Sequence, residues 1–177
     1  MMQTAIFAGG CFWCIEAVYN QMQGVQSAVS GYIGGHLADP SYRQVCDSDT
    51  GHAEAVKIEF DPQQISYQTL LDIFFAIHNP TELNRQGNDV GTQYRSEIFY
   101  LNDQQKQLAE QTIIELQPHF SAPIVTKISP VTTFYPAEAY HQGYFLQNPN
   151  TGYCSMVVAP KYLKAKVKFA ELWKIDL

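Results

Sequence analysis

Residues 4–22 read TAIFAGGCFWCIEAVYNQM, and the change of rhythm inside this stretch decides the fold. Thr4 to Ala8 is a short apolar run closed by Gly9-Gly10, the pattern of a strand that ends in a tight turn. Beyond the turn, Phe12, Ile15, Val18, Tyr19 and Met22 recur at helical spacing until Gly24, which predicts a helix beginning at Cys11. Moving outward, VQSAVSGYIGG (25–35) reads as a second strand that runs into a long loop. In AEAVKIEF (53–60), strict alternation puts Glu54, Val56, Ile58 and Phe60 on one face of a third strand, and Asp61-Pro62 closes it. Ser66 can cap the next helix, where Tyr67, Leu70, Leu71, Phe74 and Ile77 form an apolar stripe that Asn79-Pro80 stops. A polar loop to Gln93, a strand RSEIFYL (95–101) and an Asn102-capped helix to Gln117 follow. The remainder reads as extended APIVTKISPVTTFY (122–135), a short helical stretch from Ala137 to Phe145, turn-rich QNPNTGYC (147–154) and a Lys-rich end from Pro160 to Lys174.

The first six elements spell strand, helix, strand, strand, helix, strand, the split β-α-β order of a ferredoxin-like plait with helices on one sheet face. The predicted fold is therefore an α+β two-layer sandwich with that plait as core and an extended, irregular C-terminal tail. A doubly wound sheet is disfavoured because the strands at 25–33 and 53–60 follow one another with no helix between them. The length of 177 residues fits a single domain over 1–177.

Composition narrows the function classes. Hydrophobic residues make up 46% and charged residues 16%, which suits a folded globular chain rather than a disordered one. A net charge of −6, with basic residues clustered only in the last segment, provides no phosphate-neutralising surface, so no nucleic-acid partner is expected. The start lacks a charged n-region and a long apolar segment, and no apolar run approaches a membrane span, so the expectation is a cytoplasmic protein, monomeric and without a membrane partner. The four cysteines, Cys11, Cys14, Cys46 and Cys154, read as reactive or buried thiols rather than a disulfide framework. Only Cys11 and Cys14 are closely paired, so zinc is disfavoured on spacing, and His36 and His52 near Cys46 show no ligand pattern.

The chemistry gathers at the first turn. A cysteine at a helix start meets free backbone N–H groups and the positive end of the dipole, so the pKa of Cys11 should fall and make it a nucleophile. Cys14, one turn further on, is the weaker thiol; it could resolve an oxidised Cys11 or simply pack in the core. Phe12 and Trp13 crowd any flat approach of a partner disulfide and suggest walls around a small apolar group, with core packing as the alternative. Glu54 shares a strand face with Val56, Ile58 and Phe60, a position that desolvates the carboxyl, raises its pKa and makes it a proton donor. Tyr42, Asp89 and Tyr94 lie in loops near strand ends, where binding groups collect. Cys154 follows NPNTGY, a turn-rich arm from which a thiol could reach a distant sulfenic acid.

Taken together, GGCFWCIEA, SGYIGG, YRQVC, TGHAEAV, NDVGTQYRS, AEAYHQGYF and NPNTGYC resemble, in order and over nearly the whole chain, the A-type peptide methionine sulfoxide reductases. The resemblance implies reduction of methionine S-sulfoxide, free or in proteins, with Cys11 as nucleophile and Phe12 and Trp13 around the sulfoxide methyl. It further implies that Glu54 protonates the oxygen, that Tyr42 and Tyr94 hydrogen-bond it, and that Asp89 holds the substrate's main-chain amide. Cys154 would resolve the Cys11 sulfenic acid and thioredoxin would regenerate the enzyme, with no metal or organic cofactor. Many members carry two tail cysteines; none follows Cys154 here, which leaves Cys14 or Cys46 as the other thiols. The competing readings are a general thiol-disulfide oxidoreductase using Cys11 and Cys14, and a non-catalytic domain that binds oxidised peptides.

Overall fold

The computed structural model describes residues 1–47 and 50–174. Its first strand, β1 (Gln3–Gly9), turns directly into α1 (Phe12–Asn20). Gly10 makes that turn with φ at 95°, and a Cβ there would lie 2.6 Å from the Gln86 side chain, so only glycine fits. In chain order there follow β2 (Val25–Ile33), α2 (Tyr42–Cys46), β3 (Ala53–Phe60) and α3 (Tyr67–Ile77). A two-residue ribbon of β4 (Arg85–Gln86) and β5 (Asp89–Val90) precedes β6 (Ser96–Tyr100) and α4 (Asp103–Leu116). The last elements are β7 (Lys127–Pro130), β8 (Tyr135–Pro136), α5 (Tyr144–Gln147) and α6 (Ala159–Lys168).

The main sheet has the order β7-β6-β1-β3-β2-β8. β1 runs antiparallel to both β3 and β6, and β2 antiparallel to β3 and β8; only β6 and β7 pair in parallel. Alternation along the strands sorts the side chains. Ala5, Phe7, Val56, Ile58 and Phe60 join Phe12, Val18, Leu70 and Phe74 of the helices in one core, while Ile6, Ala8, Ile33, Ala53, Ala55 and Phe99 form a smaller cluster on the other face under Phe134. Each large apolar side chain so buried contributes roughly 1.5–3 kcal/mol. The same alternation delivers Glu54 to the helical face, beneath the start of α1.

Two segments differ from the sequence expectation. The loop between β2 and β3 contains α2, which is held by a reciprocal capping box: the Ser41 side chain accepts from the Gln44 backbone and the Gln44 side chain accepts from the Ser41 backbone. The tail is not irregular to its end: beyond α5, a π-helical turn from Cys154 to Val158 leads into α6, with Pro160 in its first turn. Val158, Tyr162, Ala165 and Phe169 pack inward while Lys164, Lys166 and Lys168 are exposed, so the apolar face is thin in sequence but sufficient against the core.

Candidate active site

Cys11 sits one residue before α1, as its N-cap, with extended backbone at φ −63° and ψ 124°. The Trp13 backbone N–H and the Tyr153 hydroxyl both hydrogen-bond its sulfur and favour the thiolate. They are outweighed. Burial, and after it the neighbouring charge of Glu54, pushes the Cys11 pKa well above the ordinary thiol value. This corrects the expectation of a lowered pKa: the Phe12 N–H, one of the free amides at the helix start, serves Glu54 instead, and the dry surroundings decide. Cys11 is a thiol in the resting protein.

Glu54 is 1% exposed. Its Oε1 accepts the Phe12 backbone N–H at 3.3 Å, and its Oε2, also buried, has no hydrogen-bond partner among the described residues. Burial above all, with a smaller push from Asp89, raises its pKa to about 8 against the pull of the Phe12 N–H. The carboxyl is therefore protonated at neutral pH, and its Oε2 is an unengaged donor position.

Around this pair stand the other candidates. The Tyr42 hydroxyl of α2 hydrogen-bonds Cys46, and its ring stacks on Phe12 with centroids 6.3 Å apart. Tyr94 closes a single helical turn, Thr92–Tyr94, within electrostatic reach of Glu54, Asp89 and Cys11. Burial raises both phenol pKa values, so both remain protonated donors. Asp89 of β5 accepts a hydrogen bond from the Tyr153 hydroxyl. Phe12 is fully buried and Trp13 half-buried; the Trp13 ring stacks on Tyr144 at 4.0 Å and meets Tyr153 edge-on at 5.7 Å. The fold thus brings Cys11, Phe12, Trp13, Tyr42, Glu54, Asp89 and Tyr94 into one neighbourhood.

Cys154 belongs to an apolar cluster. It is fully buried there with Cys14, Ala17, Phe145 and Val158, at the start of the π-helical turn. Burial raises the Cys14 pKa to about 11, which makes it a poor attacking thiol. His52 directs one ring nitrogen to the Gly35 N–H at 2.9 Å and the other to the Leu37 carbonyl at 2.6 Å, so it has no nitrogen left for a metal beside Cys46. Sequence reasoning assigned no role to Glu16, Glu138, His141 or Tyr153. His141 and Glu138 lie in the AEAYHQGYF block, whose spacing has no helical or strand period to draw attention to them.

The class of protein that this fold and site define is a thiol-based oxidoreductase. The family model described as "Peptide methionine sulfoxide reductase" matches residues 3–173. The Pasteurella multocida "Peptide methionine sulfoxide reductase MsrA" is 66% identical over 174 residues, covering 98% of this chain and 100% of that protein. Among solved structures, Saccharomyces cerevisiae Mxr1 in its reduced form is similar with a TM-score of 0.79 at 37% identity, over 86% of this chain and 89% of that one. Mxr1 in complex with Trx2 is similar with a TM-score of 0.55 at 28% identity, over 81% and 84% of the two chains. The chain belongs to the A-type peptide methionine sulfoxide reductase family, and is a peptide-methionine (S)-S-oxide reductase.

Proposed function

We propose that Cys11 and Glu54 carry the reduction of methionine S-sulfoxide, free or in proteins, inside one domain spanning 1–177 whose core is a ferredoxin-like plait. The observation that carries this reading is the buried, unpartnered Oε2 of Glu54 beside the Cys11 thiol. A sulfoxide sulfur is a poor electrophile until its oxygen is protonated, so an uncharged acid must face the nucleophile. Phe12 and Trp13 enclose the methyl group, Tyr42 and Tyr94 donate hydrogen bonds to the oxygen, and Asp89 receives the substrate's main-chain N–H. Glu54 gives its proton to the sulfoxide oxygen while the Cys11 sulfur attacks; the proton leaving the thiol returns to Glu54. The oxygen passes to sulfur, so that a thiol and a sulfoxide become a sulfenic acid and methionine. Cys154 then condenses with the sulfenic acid, releasing water and forming a disulfide.

Thioredoxin reduces that disulfide in our reading, and the solved complex of the yeast relative Mxr1 with Trx2 supports it. An enzyme recycled in this way works in a reducing compartment, and we read the chain as cytoplasmic and monomeric. Among the described residues no helix is long and apolar enough to cross a membrane. The buried, high-pKa Cys14 disfavours the Cys11–Cys14 oxidoreductase reading.

The test is an assay of the two methionine sulfoxide epimers with dithiothreitol. The S epimer should yield methionine, and Cys11→Ser should abolish product. Glu54→Gln should retain binding yet slow reduction by about 10²–10⁴-fold, the range for a lost general acid. Absence of product from either epimer, or unchanged turnover in Glu54→Gln at pH 7, sinks the proposal.

A further inference from the structure

Charge is divided unevenly along the chain. Residues 161–177 hold five lysines against Glu171 and Asp176, whereas residues 1–160 hold six basic side chains against fifteen acidic ones. Lysines on so acidic a protein have carboxylates to turn to, and some basic groups do turn: Lys57, Arg85 and Arg95 each pair with a glutamate. Lys161, Lys164 and Lys168 behave otherwise. Among the described residues, no carboxylate lies within ion-pair distance of any of the three.

The spacing of these lysines, three and then four residues apart within α6, puts them on one side of the helix. All three line a cavity of about 640 Å³ between α6, the end of α3 and residues 120–122. The surface between them is apolar: Phe75 and Ile77 of α3 are buried there, Phe169 is partly so, and the Lys168 ammonium lies over the Phe169 ring at 5.8 Å. The one carboxylate in the lining, Glu82, is taken by Arg85 at 3.0 Å. An apolar hollow bordered by three such cations complements an anion that also carries a hydrophobic side chain. The acidic remainder of the chain would repel that anion, which concentrates its binding here.

The hollow adjoins the reaction site. Gln86 lines it, and the same side chain lies so close to the Cys11 turn that a Cβ on Gly10 would meet it at 2.6 Å. Across the β4–β5 ribbon Gln86 pairs with Asp89. Such partners are about 5 Å apart and an extended chain advances about 3.3 Å per residue. A polypeptide with its sulfoxide at Cys11 and a main-chain N–H on Asp89 therefore needs about three to six further residues to cross the ribbon and reach the lysines. We propose that this hollow is a subsite for the polypeptide flanking the methionine sulfoxide, and that it selects acidic segments with an aromatic or large aliphatic side chain. The inference rests on the reading of Cys11 and Asp89 as the reaction site.

The experiment measures kcat/KM, with dithiothreitol as reductant, for peptides that carry one methionine S-sulfoxide and, a few residues away on either side, glutamates around a phenylalanine. The reference peptides have glutamine for glutamate. Exposed ion pairs contribute up to about fivefold each, so the acidic peptide on its better side should exceed its reference by about tenfold at low salt. About 1 M salt should remove most of that preference. Lys161→Gln/Lys164→Gln/Lys168→Gln should bring the ratio close to one, and Lys164→Glu/Lys168→Glu, at two exposed positions, should make the acidic peptide the poorer substrate. Alanine for the peptide's phenylalanine should cost about three- to tenfold in the wild type. A wild-type ratio near one, a ratio that ignores the lysine variants, or no loss with alanine overturns the proposal. So does a triple variant slowed only in thioredoxin-driven cycling, which gives the face to the reductant. Sedimentation showing a wild-type dimer and a monomeric triple variant overturns it too, in favour of a second copy of the chain. Each ratio is taken within one protein, so it reads the hollow whichever residues carry the chemistry, while Cys11→Ser and Glu54→Gln test the reaction site separately.

Discussion

Cys154 is fully buried in the same apolar cluster as Cys14. In the resolution step proposed above, a fully buried thiol has to reach Cys11, so the segment from Cys154 to Val158 has to leave its cluster. That segment is a π-helical turn, a less favourable winding than α, which lowers the cost of opening. With thioredoxin as reductant, Cys154→Ser should complete one fast turnover and then stall, whereas Cys14→Ser should keep cycling. Val158 is fully buried, and Val158→Ala loosens the cluster at a cost of about 1–2 kcal/mol to the closed tail. It should speed loss of the sulfenic acid on the order of tenfold in a rapid-mixing experiment. An unchanged rate in Val158→Ala would show that tail opening does not limit the step.

The pKa of Glu54 makes a claim about stability as well as rate. An ordinary glutamate ionises near 4.3, whereas the folded protein holds this proton up to about 8. Between those values the native state binds the extra proton, so this group makes stability fall as pH rises through the window and leaves it flat on either side. One pKa unit is about 1.4 kcal/mol, so Glu54→Gln should match the wild type near pH 4 and exceed it by on the order of 5 kcal/mol above pH 8. Urea melts of both proteins at several pH values measure this directly. Single-turnover reduction by the wild type should meanwhile hold level to about pH 8 and decline above it, as the donor ionises.

The parts that were legible in sequence are those with a local cause. Alternation in AEAVKIEF placed Glu54 on the buried face, and Gly9-Gly10 between an apolar run and a helical stripe placed Cys11 at a helix start. What stayed hidden depends on groups brought together from afar. The sign of the Cys11 shift follows from burial and from Glu54, neither of which the helix-start rule contains. The short helix α2 has a local signal, Ser41 followed by Gln44, but at five residues it is too short to show a helical period. His141 and Tyr153 acquire meaning only from Trp13, Asp89 and Cys11, which the chain reaches by folding its end back over its beginning. In the tail, four inward-facing apolar residues among lysines concealed α6.

Gly35 supports the site through contact rather than conformation. A Cβ on it would lie 2.3 Å from the Thr50 carbonyl oxygen and 2.4 Å from the His52 backbone nitrogen, and both are backbone atoms that cannot rotate away. Its N–H also donates to His52, two residues before Glu54. Gly35→Ala should therefore push the 50–52 segment outward, lower stability by about 2 kcal/mol or more, and reduce turnover by displacing the start of β3. Denaturation midpoints together with kcat check this; an unaltered midpoint would mean that the two segments can separate freely.

Glu16 fastens the segment that carries His141 and Tyr144. It is 3% exposed, both carboxylate oxygens accept the Gly143 backbone N–H, at 2.9 and 3.0 Å, and burial raises its pKa to about 7 despite that hydrogen bond. A neutral amide can accept the same N–H without a buried charge. Glu16 thus lowers native stability as pH rises from about 4.3 to about 7 and adds nothing further above that. Glu16→Gln should equal the wild type below pH 4 and be more stable by on the order of 1–2 kcal/mol at pH 8, after discounting for solvent contact at the carboxyl. The difference should level off by about pH 8, below the pH at which that of Glu54 does. Glu16→Ala, by contrast, leaves the Gly143 N–H without its acceptor and should be less stable than wild type at every pH, with a raised KM for sulfoxide as Trp13 loses its supports. A Glu16→Gln protein less stable than wild type at pH 8 would show that the carboxylate charge itself holds the segment down.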